Sequence, residues 1–255
     1  MFLGDPTTGL LVFARVTGML AIFPIFSASQ VPMKVRVLLG AALAWFVAGT
    51  LSTQVAAGTS WLTLSGLLGI EVCVGLLLGF VGRILFYGLE AAGNVMATEM
   101  GLMMAADFNP FSNARSDVPA VILNLLATTL FMTLDLHHWF IVGFQRTYVF
   151  VPIGGAHLSA AVLMDIIART GGIFVIAVQL AAPMIAVSFF ITLVFSVLGR
   201  AVPQMNVFSE SFAFRTFAGL TVFGLTLNLM AQHITNYLNR LPEDVLRVAQ
   251  LLGAR

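Results

Sequence analysis

The sequence predicts an all-α integral membrane protein with about six hydrophobic helical segments, several of them long or kinked. Three observations carry this. Of 255 residues, 59% are hydrophobic and only 9% are charged, against about 25% charged in a soluble domain. The apolar residues come in runs close to the ~20 residues that a helix needs to cross a bilayer. The polar residues gather in short links between those runs. Lys+Arg is 12 and Asp+Glu is 11, so no charge excess points to nucleic acid. Cys73 is the sole cysteine. It excludes an internal disulfide and a thiolate zinc site, and as a small hydrophobe it is expected to be buried.

Residues 8–26 form the first run, with Arg15 inside it. "SASQVPMKVR" links it to a shorter run at 37–51, which "STQVAAGTS" ends. Residues 61–106 are apolar almost throughout. As one straight helix they would reach about 69 Å at 1.5 Å per residue, roughly twice a bilayer core. A hairpin, a sharp bend or an exit from the membrane is expected there. Gly75 and Gly79 make a G-x-x-x-G pair, and Gly93, Ala97 and Gly101 continue the small-residue spacing. Such stripes admit close backbone approach, so these five are expected at contacts between helices or subunits.

The most polar stretch of the chain follows, "MMAADFNPFSNARSDVPAV". Asp107, Asn109, Pro110, Ser112 and Asn113 are turn formers, and Phe108 and Phe111 add bulk. Asp117 suits the N-cap of the next helix, with Val118 and Pro119 in its first turn. Residues 118–136 are apolar, "DLHH" breaks the run, and 139–155 is a shorter stretch ending at Pro152 and Gly154/Gly155. Residues 156–170 read as a short polar helix. Residues 171–199 are a long run that Pro183 should kink. "GRAVPQMN" makes a second polar turn, with Pro203, Gln204, Met205 and Asn206, and 212–231 is the last strongly apolar run. Ile234, Leu238, Leu241, Val245, Val248 and Leu252 then alternate by four and three, an amphipathic stripe interrupted at Pro242. Glu243 and Asp244 suit the first turn of a new helix there. That tail is expected on a membrane or partner surface, or as a plain packing helix.

Charge inside an apolar segment is functional by default. The candidates are Arg15, Glu71, Arg83, Glu90 and Glu99. On one helix Glu71 and Glu90 diverge by about 100°, and Glu90 and Glu99 by about 180°, so the carboxylates do not share a face as a relay or metal box would require. Buried Arg15, Glu71 and Arg83 are expected to pair with other helices or partner subunits, Glu71 being the best internal partner for Arg15. Adjacent His137 and His138 point apart on a helix and make a poor metal site, so no metal or cofactor is expected. The chain has no H-E-x-x-H, P-loop or G-x-S-x-G, and no enzymatic constellation. A small secondary transporter, with Arg15 and Glu71 at its substrate site, should show internal repeats, and no convincing repeat is present.

Five motifs stand in order: "FARVTGMLAIFPIFSASQVPMKVRVLLG", "GLLLGF", "AAGNVMATEMGLMMAADFNPFSN", "VPIGG" and "GRAVPQMNVF". Together they resemble the flagellar biosynthetic FliR family, which includes the T subunit of virulence type III secretion systems. The likeness covers about residues 12–230. It departs at Asn109, where the family usually has aspartate, and at Ser209, Glu210 and Ala213.

The resemblance implies a non-catalytic core subunit of the flagellar type III export gate, in the bacterial inner membrane and flagellar basal body. Its implied partners are FliP and FliQ in a closed helical assembly, FlhB and FlhA beneath it, membrane lipid, and exported unfolded flagellar proteins. It also implies one domain over 1–255, with a FliP-like part at about 1–155, a FliQ-like part at about 156–232 and the tail at 233–255. Irregular backbone at membrane depth is tolerated only inside protein or along a water-filled cavity. Residues 106–117, with Asp107, Phe108, Asn109, Pro110, Phe111, Ser112 and Asn113, are therefore expected to project into the channel as a plug.

Overall fold

The computed structural model describes residues 6–27, 31–51, 60–103, 117–204 and 206–254, with the backbone alone at Phe208. Among these residues every regular element is a helix: α1 (Pro6–Ile22), α2 (Pro24–Ser27), α3 (Met33–Ala48), α4 (Trp61–Glu99), α5 (Val118–Thr133), α6 (Leu136–Phe150), α7 (Ala160–Ala201) and α8 (Val207–Gly253). The expected plug residues Asp107, Phe108, Asn109, Pro110, Phe111, Ser112 and Asn113 lie outside the described residues, as does Met205.

On length and composition α4, α7 and α8 can each cross a membrane, and α5 with α6 adds a fourth span if the bent pair counts as one. This is an all-α membrane protein with fewer clear spans than the six apolar runs expected. The difference arises because α1, α3, α5 and α6 have 17, 16, 16 and 15 residues, short of the ~20 that a span needs. Residues 156–170, expected as a separate short helix, are mostly the first turns of the 42-residue α7. Pro183 lies inside α7 and Pro242 inside the 47-residue α8, and neither ends its helix. A proline removes one helical hydrogen bond, and long flanking stretches can carry the helix past that loss.

Nor is the long apolar segment a hairpin over residues 61–99. Trp61–Glu99 is one continuous helix of 39 residues. It ends where the N–H of Leu102 bonds the Ala97 carbonyl at 2.9 Å and that of Gly101 bonds the Thr98 carbonyl at 3.0 Å. This is the Schellman pattern, and Gly101 supplies the left-handed residue at φ +75. A Cβ there would also meet the Phe212 ring at 2.8 Å. Gly101→Ala should destabilise the detergent-solubilised chain by about 1–2 kcal/mol from the left-handed backbone alone, read as a lower thermal midpoint.

The chain forms two compact units. The first comprises Met1–Ile84, Met132–Thr170 and Asn239–Arg255, the second Leu85–Phe131 and Gly171–Leu238. In the first, α1 contributes Leu11, Val12, Val16, Met19 and Leu20 to the core at 0–2% exposure. α3 packs on α1 through Gly40, Ala44 and Val47, while its Leu38, Trp45 and Phe46 stay exposed. An outward face of that kind suits lipid or a partner rather than water. In the second unit Leu89, Met96, Leu123, Leu180, Met184 and Met230 form the core.

The tail stripe turns out to be interior. Ile234, Leu238, Leu241, Val245, Val248 and Leu252 are all buried. The end of α8 closes the first unit: the N–H of His157 bonds the Leu252 carbonyl at 2.9 Å, and Gly253 lies against the Phe150 carbonyl. Asp244 does not cap a new helix. It accepts from Arg169 Nη1 at 2.7 Å, while Asp165 accepts from Arg169 Nε at 2.5 Å and faces Arg247 at 3.4 Å. Four alternating charges thus tie α7 to α8, and the packing-helix reading of the tail is the one adopted. Cys73, expected to be buried, is exposed, because it lies about 200° around α4 from the Glu71 face at 100° per residue.

Candidate functional site

The site begins with a spacing. Gly75 and Gly79 sit four apart on α4, and α1 crosses directly over them. A Cβ on Gly75 would collide with the Arg15 carbonyl, and one on Gly79 would meet the Met19 carbonyl at 2.6 Å. Gly18 of α1 answers from the other side, facing the Val72 carbonyl at 2.8 Å, and Gly82 lies under the Phe23 ring. The G-x-x-x-G pair expected at helix or subunit contacts is therefore filled by a helix of the same chain. The other members of the stripe are also occupied internally. Gly93 packs on the Ala120 backbone, Ala97 is fully buried, and Gly101 forms the helix C-cap.

Close approach of α1 and α4 places Arg15 against Glu71, both at 0% exposure. Arg15 Nε donates to Glu71 Oε2 at 2.5 Å, and Nη2 donates to Oε1 at 3.0 Å. The remaining guanidinium N–H groups go to α6. Nη1 and Nη2 both reach the Val151 carbonyl at 3.1 Å, and Nη1 reaches Thr147 Oγ1 at 3.5 Å. All five donors of the guanidinium are thus engaged. The Val151 carbonyl stands at the C-terminal end of α6, the negative end of that helix's dipole. Tyr148 lies with its ring 4.0 Å from the guanidinium carbon, a cation–π contact.

The "VPIGG" motif closes the site. The N–H of Gly155 bonds the Pro152 carbonyl at 2.9 Å, making a tight turn, and Gly154 at its third position has φ +72, as a type II turn requires. That conformation aims the Gly154 N–H at Glu71 Oε1, 2.9 Å away. Glu71 therefore has three donors and Arg15 three kinds of acceptor. The cluster is desolvated and nearly saturated, and it can clamp α1, α4 and the end of α6 together. Tyr148 Oη is the one buried polar atom of the cluster without a hydrogen-bond partner among the described residues.

Arg83, expected as a buried charge, is half-buried. Its head group donates to the Ile22 carbonyl at 3.1 Å and reaches Ser27 Oγ at 3.4 Å, capping the end of α1. Glu90 is exposed. In the second unit Glu99 accepts a hydrogen bond from Ser188 Oγ, and Thr216 Oγ1 donates to the Met100 carbonyl at 2.9 Å. In the second polar turn Pro203, Gln204 and Asn206 are exposed, and Asn206 Oδ1 accepts from the Ser209 N–H at 3.3 Å, an N-cap for α8.

Of the predicted site residues, the structure joins Arg15 with Glu71 and leaves Arg83 apart. Thr147, Tyr148, Val151 and Gly154 belong to the cluster and were missed. The doubled glycine after Pro152 was their one visible signal.

The model of the bacterial export proteins, family 1, matches residues 7–241, a span that takes in both compact units. The chain belongs to that family. Among curated relatives of family 1, the chain is 31% identical to the flagellar biosynthetic protein FliR of Caulobacter vibrioides, over 87% of this chain and 88% of the relative. It is 29% identical to FliR of Pectobacterium carotovorum subsp. carotovorum, covering 92% and 90%, and 27% identical to FliR of Escherichia coli K12, covering 93% and 92%. This family 1 member is a membrane-embedded subunit of the flagellar export apparatus, working in a complex with other export proteins.

Proposed function

We propose that the chain is a non-catalytic core subunit of the type III export gate in the bacterial inner membrane. It joins FliP and FliQ above FlhB and FlhA, and lines part of the channel for unfolded flagellar proteins. The observation that carries this reading is the Arg15 cluster. A transporter would keep its intramembrane charges available to a substrate or ion, whereas here every guanidinium donor is spent on Glu71, Thr147 and Val151. The charge serves as scaffold. A pull-down of the chain from membranes should recover FliP and FliQ as stoichiometric companions, and their absence from the recovered complex would overturn the reading.

Within this role the segment 106–117 acts as the plug. Its support is where it starts and finishes. On one side Gly101 and the Thr216–Met100 bond fix the end of α4. On the other, Ala120 in the first turn of α5 sits on Gly93 of the same α4. A polar, turn-rich segment between two pinned ends can close a pore without regular structure. Replacing 107–114 with a Gly/Ser linker should raise small-solute permeability of cells while leaving some flagellin secretion. An assembled and fully tight gate would return the segment to an ordinary connection. The division into a FliP-like part at about 1–155, a FliQ-like part at about 156–232 and a tail at 233–255 is proposed as a division of descent, distinct from the compact units.

A further inference from the structure

We propose that Asp135, His137 and His138 form a binding site for one divalent first-row transition-metal ion, with zinc as its representative. The site lies at the break between α5 and α6. Asp135 takes φ 54, the one positive φ of a non-glycine among the described residues. Its carboxylate makes no cap bond to the helix it precedes and lies 3.8 Å from His138 Nδ1. The two imidazole rings stand 4.1 Å apart between centroids. One donor atom from each of the three side chains falls within 4.8 Å of the others.

Adjacent histidines diverge on an unbroken helix, which is why the sequence spoke against a metal. Here they occupy the first turn after a left-handed residue, and that residue turns its carboxylate back toward them. His137 Nδ1 is shielded from solvent and has no hydrogen-bond partner among the described residues. A buried nitrogen left unpaired is costly, and a metal held through Nδ1 would remove that cost. Asp135 and His138 have side chains 74% and 71% exposed, so an ion has an open path.

Two imidazoles with one carboxylate suit zinc, nickel, copper or ferrous iron rather than calcium or magnesium, which prefer all-oxygen shells. Ligands about 2.0–2.1 Å from a tetrahedral zinc leave a fourth position for water. Donors in that geometry lie about 3.3 Å apart, so they must close by up to about 1.5 Å, which rotation of the two exposed side chains supplies. The bound ion would fix the break between α5 and α6.

The test titrates Zn²⁺ alone, against a chromogenic chelator, into the full-length chain purified without a polyhistidine tag. One equivalent per chain is expected. His138→Gln and Asp135→Asn, both at exposed positions, should each weaken binding at least about tenfold, the lower end of losses at metal sites. The double variant His157→Gln/His233→Gln removes the chain's other two histidines and should leave the affinity unchanged. Absence of stoichiometric binding would overturn the site. So would retention of wild-type affinity by both His138→Gln and Asp135→Asn, or an equal loss in the His157/His233 control.

Discussion

Arg15→Met should cripple the chain, and Arg15→Met/Glu71→Met should restore much of what it loses. In the single variant Glu71 remains at 0% exposure with only the Gly154 N–H, at 2.9 Å, among its former donors. Removing one partner of a buried pair typically costs about 3–5 kcal/mol, whereas replacing both by apolar groups of similar volume is often neutral. Recovery should be incomplete, because the Val151 carbonyl also loses two Arg15 bonds and a buried acceptor left bare costs about 1–3 kcal/mol. Arg15→Lys should behave like the methionine variant more than like wild type: an ammonium keeps the charge but cannot serve Glu71 as a fork while also reaching Val151. The measurement is a double-mutant cycle on thermal inactivation of the detergent-solubilised chain. Strictly additive losses would show that the pair is not coupled.

The second large effect is expected at Gly75. Gly75→Leu places its Cβ on the Arg15 backbone carbonyl, and Gly79→Leu places one 2.6 Å from the Met19 carbonyl. Backbone cannot rotate aside, so α1 must lift from α4 and draw Arg15 off Glu71. Overpacking alone costs about 1–3 kcal/mol, and disruption of the ion pair adds to it. Gly66 and Gly69 lie on the same helix with nothing within 4 Å of a Cβ. Alanine there should be neutral or stabilise by up to about 1 kcal/mol, since glycine is a poor helix residue. Thermal midpoints of the isolated chain distinguish the two pairs. If Gly75→Leu left the isolated chain intact and failed only in co-purification with partners, the stripe would be a subunit contact instead.

Much of the site was visible as residue types. Arg15 and Glu71 stand out as charges within apolar runs, and Gly75 and Gly79 as a close-approach pair. Their partners were not legible. The groups that complete the cluster are the Val151 carbonyl and the Gly154 N–H, and backbone acceptors and donors carry no residue signature. Gly154 could have been suspected from its place after Pro152-Ile153, because a positive φ at the third position of a turn selects glycine. The helix boundaries were misread for a related reason. Pro242 marks a probable stop, but α8 runs through it, as α7 runs through Pro183, whereas the break expected at "DLHH" does fall at Asp135.

By itself the sequence determined the solvent and the period of this protein: 59% hydrophobic residues in long runs admit little but membrane helices, whose backbone groups must be satisfied internally. It also determined where charge and small residues fall along those helices. The tertiary structure decided what each of them meets. The same stripe from Ile234 to Leu252 could have faced lipid, a partner or its own chain, and it is buried because α6 and the start of α7 cover its end. Periodicity specifies which side of a helix is apolar. Only the packing of non-adjacent segments specifies what covers it.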